Sequence, residues 1–96
     1  MHKNYEAMFV VKPDLAKEQR DSVFGQISES INKSSGTVQS QEVWQEKKKL
    51  AFKIKKFEEG LYYLVKFSIG TDMISKLKEI YLLNESILRV MILKTK

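Results

Sequence analysis

Two hydrophobic periods alternate along this chain, and their order leaves few folds open. Four stretches carry strand-like patterning and two carry helical spacing. Tyr5 to Val11 is apolar apart from Glu6, with Ala7, Phe9 and Val11 on one face and Met8 and Val10 on the other. A strand apolar on both faces belongs in the middle of its sheet. Pro13 ends it, and Asp14 is placed to cap the helix that follows by accepting otherwise orphaned backbone N–H groups. From about Leu15 to Lys33, the residues Val23, Phe24, Ile27 and Ile31 recur at three- and four-residue steps. Lys17, Glu18, Arg20, Asp21 and Glu29 fill the opposite side, so this helix lies on the sheet by one face. Ser34-Ser35-Gly36 stops it, with Gly36 expected to supply the left-handed conformation such ends favour.

Thr37 starts a long extended segment in which Val38, Ser40, Glu42 and Trp44 alternate with Gln39, Gln41 and Val43. So polar a strand fits a sheet edge. Lys55 to Gly60 is the turn signal. Leu61 to Ile69 is the next strand, with Tyr63, Val65, Phe67 and Ile69 on one face and Tyr62, Leu64, Lys66 and Ser68 on the other. Thr71 or Asp72 is placed to cap a second helix, whose apolar stripe is Ile74, Leu77, Ile80 and Tyr81 and whose stop is Asn84. In the last strand, Ser86 to Lys94, Leu88, Val90 and Ile92 face one way and Ile87, Arg89, Met91 and Leu93 the other.

The order βαββαβ predicts an α+β, ferredoxin-like fold: a four-stranded antiparallel sheet with both helices on one face. Ninety-six residues are enough for one such domain, residues 1–96, with its own core. The other sheet face is left open. It carries Met8, Val10, Tyr62, Leu64, Arg89, Met91 and Leu93, which is more apolar than a solvated face needs, and a patch of this kind marks a docking surface.

Charge is distributed as unevenly as hydrophobicity. Trp44 to Lys56 holds six of the 17 basic residues (Lys47, Lys48, Lys49, Lys53, Lys55 and Lys56) and one of the 12 acidic residues, Glu46. Eleven of each remain elsewhere, so the net charge of +5 resides in this stretch. Trp44, Leu50, Ala51, Phe52 and Ile54 interrupt the lysines. Charge to release counterions, with apolar anchors to hold that charge in place, is what binding a phosphate backbone requires. A lysine run on its own is equally consistent with a solvated surface.

Catalysis finds little support. There is no cysteine, which excludes disulfides and thiol chemistry. The single histidine, His2, is expected at a mobile terminus. Neither a Gly-rich phosphate loop, a metal-ligand spacing nor a nucleophile elbow occurs, so no catalytic residue, metal or cofactor is expected. Arg20 on a helix surface and Arg89 inside a strand do not make the phosphate-holding loop of small phosphatases with this topology. No apolar run is long enough to span a bilayer, and the first residues lack the apolar core of a signal peptide, so the expected location is cytoplasmic. Among aromatic residues able to stack RNA bases, Tyr5, Phe9, Tyr62, Tyr63 and Phe67, only Tyr62 falls on the open face, and the Gly-aromatic signature of single-strand readers is absent. Electrostatic and shape-based binding is therefore expected in place of base stacking.

Several separated segments resemble the bacterial small-subunit ribosomal protein six family. They are Tyr5-Glu6-Ala7-Met8 with Pro13-Asp14, Lys49-Leu50-Ala51-Phe52-Lys53-Ile54-Lys55-Lys56, Glu59-Gly60-Leu61-Tyr62-Tyr63 and Leu88-Arg89-Val90-Met91. They follow the family's order over nearly the whole chain, and Leu50-Ala51-Phe52 with Ile54 is the most specific piece. The chain departs from the pattern at Phe52, usually tyrosine, at Glu46, usually glycine, and at Trp44, one residue further from Leu50 than in many relatives. The resemblance implies a non-enzymatic role: binding the central domain of small-subunit ribosomal RNA alongside small-subunit ribosomal protein eighteen. On that reading Lys47, Lys48, Lys49, Lys53, Lys55 and Lys56 contact phosphates and Phe52 is an apolar or stacking anchor. Arg89 and Tyr5 are second-tier contacts, and Met8, Val10, Tyr62, Leu64, Met91 and Leu93 dock the protein. The competing reading is a free-standing ferredoxin-like module that oligomerises through its open face or binds a small ligand.

Overall fold

The structure, a computed structural model, describes residues 2–95. Its elements are β1 (His2–Val11), α1 (Lys17–Lys33), β2 (Thr37–Ile54), β3 (Phe57–Gly70), α2 (Ile74–Leu82) and β4 (Ile87–Lys94), with a single 3-10 turn, Thr71–Met73, leading into α2. The strands form one antiparallel sheet in the order β2-β3-β1-β4. This is the ferredoxin-like arrangement, with the two most buried strands central and the polar β2 at an edge.

The core lies between the sheet and its two helices. Tyr5, Ala7, Phe9 and Val11 of β1 and Leu61, Tyr63, Val65, Phe67 and Ile69 of β3 meet Val23, Ile27 and Ile31 of α1 and Leu77 and Tyr81 of α2. Period two on the strands and period 3.6 on the helices thus converge on one volume. Aromatic contacts set the helix positions: Phe24 stacks on Tyr63 with centroids 3.8 Å apart, and Phe9 meets Tyr81 edge-on at 4.8 Å. Such pairs add about 0.5–1.5 kcal/mol each beyond the area they bury. The Tyr81 hydroxyl lies 2.8 Å from Ser30 Oγ, which donates to the Ile27 carbonyl at 2.7 Å. Burial nonetheless pushes the Tyr81 phenol up to about 12.

Helix ends differ from expectation. Asp14 does not cap α1; Ala16 is the N-cap residue, and its N–H donates to Gln19 Oε1 at 3.2 Å. Neither Thr71 nor Asp72 caps α2, because the 3-10 turn intervenes and Met73 takes that position without a side-chain bond. Ile80 turns outward instead of joining the buried stripe. At the end of α1 it is Ser35, at φ 65°, that adopts the left-handed conformation, and no glycine does. Gly36 and Ser35 donate backbone bonds to Ile31 and Asn32 at 2.9 and 3.1 Å, closing a Schellman motif. Gly36 is needed for proximity: a Cβ there would lie 2.8 Å from Ile31 Cγ2 and 2.9 Å from the Ser68 carbonyl. His2 is not at a loose end either, since it belongs to β1 and its Nε2 lies 2.8 Å from the Ser35 carbonyl oxygen.

Register shifts in β2 and β4 alter side-chain parity. In β2 the register shifts across Gln39, pairing Val38 with Phe67 and Ser40 with Lys66. Val38 therefore packs on the core while Ser40, Glu42 and Trp44 follow the other parity, so the four do not share a face. In β4, Ile87 pairs with Val11 and Arg89 with Val10, leaving Leu88 as the extra residue. Ile87 joins the core and Leu88 reaches the open face, the reverse of the simple alternation.

Candidate nucleic-acid interface

Strands β2 and β3 outrun the rest of the sheet. β1 ends at Val11 opposite Leu61, so Phe57–Gly60 has only β2 beside it and the hairpin projects past the sheet. Its turn is the two residues Lys55 and Lys56, between the paired Ile54 and Phe57, with φ 48° and 75°. A two-residue hairpin turn with both φ positive normally takes Asn-Gly. Holding side-chain-bearing lysines there costs about 1 kcal/mol or more each. The strain leaves two ammonium groups at the tip.

A second hydrophobic cluster anchors the projection. Leu50 packs with Val10 and Leu88, and Ile54, Phe57 and Tyr62 close around them. This cluster sits on the sheet face away from the helices. Gly60 makes room for it, because a Cβ at that position would lie 2.5 Å from Val10 Cγ1. Lys12, which the sequence did not single out, sets its Nζ 5.9 Å from the Phe57 ring and adds a cation at the hairpin base.

The lysines of the stretch fall into two groups. Lys48 folds inward, its Nζ 5.1 Å from the Trp44 ring and 5.6 Å from that of Tyr62. Lys53 lies 3.7 Å from Glu58, and Lys49 sits opposite Glu59 in the ladder. Lys47, Lys55 and Lys56 are exposed, and among the described residues no acidic side chain pairs with them. Glu46, the one acid of the stretch, accepts from Arg20 of α1 at 3.0 Å, which neutralises it within the protein. Phe52 is 70% exposed on the hairpin, and Arg89 is exposed at the end of the open face beside Val10.

Two expected contacts are displaced. Tyr5 is 8% exposed and stacks on Phe67 with centroids 5.9 Å apart, so it faces the helices and cannot reach a nucleic acid on the hairpin. Val10 has the open-face parity but is only 5% exposed, covered by Leu50 from the hairpin. The other residues expected to dock a partner divide by place. Met8, Leu64, Met91 and Leu93 line one shallow apolar depression together with Glu6. Tyr62 lies toward the hairpin against Trp44, with centroids 5.9 Å apart. No three acidic or histidine side chains among the described residues gather closely enough to hold a metal ion.

This architecture has known relatives. The family model for ribosomal protein S6 matches residues 4–94. The small ribosomal subunit protein bS6 of Campylobacter jejuni strain RM1221 is 33% identical over 92 residues, covering 96% of this chain and 73% of that protein. The bS6 protein of Caldanaerobacter subterraneus is 32% identical over 93 residues, covering 97% of each. Among solved structures, the 30S ribosomal protein S6 of Thermotoga maritima superimposes with a TM-score of 0.89 at 25% identity, over 99% of this chain and 89% of that one. The C-terminal domain of the Mycobacterium tuberculosis MgtC protein shares the fold alone, at a TM-score of 0.67 and 7% identity. Matched over nearly its whole length by the family model and by relatives above 30% identity, the chain belongs to the ribosomal protein S6 family, a structural component of the bacterial small ribosomal subunit in the cytoplasm.

Proposed function

We propose that this protein binds the central domain of small-subunit ribosomal RNA together with small-subunit ribosomal protein eighteen, using two adjoining surfaces. The hairpin meets the RNA. Lys47, Lys55 and Lys56 make the main phosphate contacts, Lys48, Lys49 and Lys53 support them, and Phe52 anchors the hairpin. Arg89, at the border of the two surfaces, is a secondary contact. The protein partner covers the depression of Met8, Leu64, Met91 and Leu93, with Tyr62 at its hairpin side. The observation that carries this reading is the coincidence of the whole net charge with a projecting hairpin, beside an apolar sheet face that the protein's own helices leave uncovered. The depression favours a protein because its lining, Glu6 apart, offers dispersion contacts and no hydrogen-bonding side chains.

The test is the mobility of a central-domain RNA fragment across a salt series, with and without the protein partner. Replacing Lys47, Lys55 and Lys56 with alanine should reduce the slope of log K against log salt by about 2–3, since each phosphate contact contributes roughly 0.7–0.9. Met91→Glu should abolish the strengthening by the partner and leave the partner-free slope unchanged. An unaltered slope in the lysine variant would remove the hairpin from the RNA contact. A concentration-dependent homodimer with no RNA affinity would favour the free-standing oligomeric module instead.

A further inference from the structure

Trp44, Tyr62 and Lys48 meet where the two surfaces adjoin: Lys48 supports the phosphate contacts and Tyr62 borders the depression, but neither role uses the pair of rings. Trp44 is half exposed on an edge strand, at the register step between Val43 and Gln45, and its ring is tilted 54° against Tyr62. Both rings lie on the open sheet face, and the Lys48 ammonium is within 6 Å of each. A tryptophan serving only to pack would be drawn under its neighbours, because burying an indole is among the larger hydrophobic gains available to a side chain. Here half of it stays in water, next to a cation, beside the most basic segment of the chain.

We infer that Trp44 and Tyr62, with Lys48 between them, form a platform that stacks one unpaired RNA base. This rests on the reading of the hairpin as an RNA contact and adds what electrostatics alone does not supply. Phosphate contacts form with a duplex and with a single strand, whereas an exposed indole can take a base only when that base has left its own stack. The chemistry of Lys48 favours a nucleotide over an apolar protein surface. A protein side chain closing over the rings would bury the ammonium without a counter-charge. A nucleotide brings its phosphate with its base, so the ammonium moves from ring to phosphate as the base takes the indole face. The sequence-based expectation of no base stacking rests on the absent Gly-aromatic signature and on Tyr62 being alone on the open face; Trp44 supplies a second ring there.

Trp44 is the only tryptophan, so its emission reports this site alone. The experiment titrates the full chain with a single-stranded oligoadenylate and with a blunt RNA duplex, following tryptophan fluorescence and, separately, binding by anisotropy of labelled RNA. Saturable quenching by the single strand and not by the duplex is expected. Trp44→Ala should weaken single-strand binding roughly fivefold to a hundredfold, and Trp44→Phe should restore most of it. Duplex binding should be the same in all three proteins. Anisotropy showing single-strand binding that is indifferent to Trp44→Ala, without quenching, would overturn the platform and leave the lysine contacts standing. Absence of binding to either RNA would overturn both. Emission that responds to the ribosomal protein partner and not to RNA would reassign the rings to the protein interface.

Discussion

Tyr81 shows how one side chain ties the fold to solution conditions. Its ring closes the core against Phe9, and its hydroxyl reaches Ser30 of the other helix. Burial pushes its pKa up to about 12, with the Ser30 bond pulling weakly the other way. The folded protein therefore keeps a proton that the unfolded chain releases near its ordinary value of about 10. The resulting contribution is complete below about pH 10 and is lost as pH rises toward 12, because the unfolded state then binds fewer protons than the native one. Unfolding free energies from denaturant titrations should fall by up to about 2–3 kcal/mol across that window on account of this group. Tyr81→Phe should remove that part of the alkaline loss while lowering stability at neutral pH by about 1 kcal/mol through the missing Ser30 bond. Parallel alkaline slopes in the two proteins would show that the phenol proton is not held by folding.

The hairpin is the element in which stability and binding pull apart. Its tip holds Lys55 and Lys56 at positive φ, where Asn-Gly would sit without strain. Replacing the pair, Lys55→Asn with Lys56→Gly, should stabilise the protein by about 1–2 kcal/mol and reduce the salt slope for RNA by roughly 1.4–1.8. Denaturant titration and the salt series read the two effects independently; unchanged stability would mean that the turn is not strained. The same element separates what the residue pattern disclosed from what it did not. Strand parity on β1 and β3 was legible because both central strands are regular through their paired length, so Tyr62 and Leu64 could be assigned to the open face. The bulges at Gln39 and Leu88 were not legible, since each adds one ordinary residue with no glycine or proline to mark it. The covering of Val10 depends on Leu50, 40 positions away, and follows from how the hairpin folds back, which local alternation does not encode. The RNA contact that the family resemblance implies for Tyr5 conflicts with strand parity, which places Tyr5 with Phe9 in the core. Helix capping failed for a different reason: Asp14, Thr71 and Asp72 are good capping residues, but the backbone enters each helix later than those residues stand.

At the scale of the whole molecule, the protein is a neutral body with a charged projection. It measures 38 × 27 × 22 Å, and its excess positive charge belongs to thirteen consecutive residues, five of whose six lysines are exposed. In physiological salt the Debye length is about 8 Å, far shorter than the long axis, so an approaching polyanion feels the hairpin before it feels the rest. Such an arrangement exerts a torque as well as an attraction. The protein should arrive at RNA hairpin first, with its apolar sheet face already turned to one side, so a search over orientations becomes a search over far fewer. Stopped-flow association rates should fall steeply with ionic strength in the wild type and only weakly once Lys55 and Lys56 are neutralised. Equal dependence in both would mean that the projection binds without steering. If steering holds, the strained turn at the tip acts on the rate of arrival as well as on the affinity that follows.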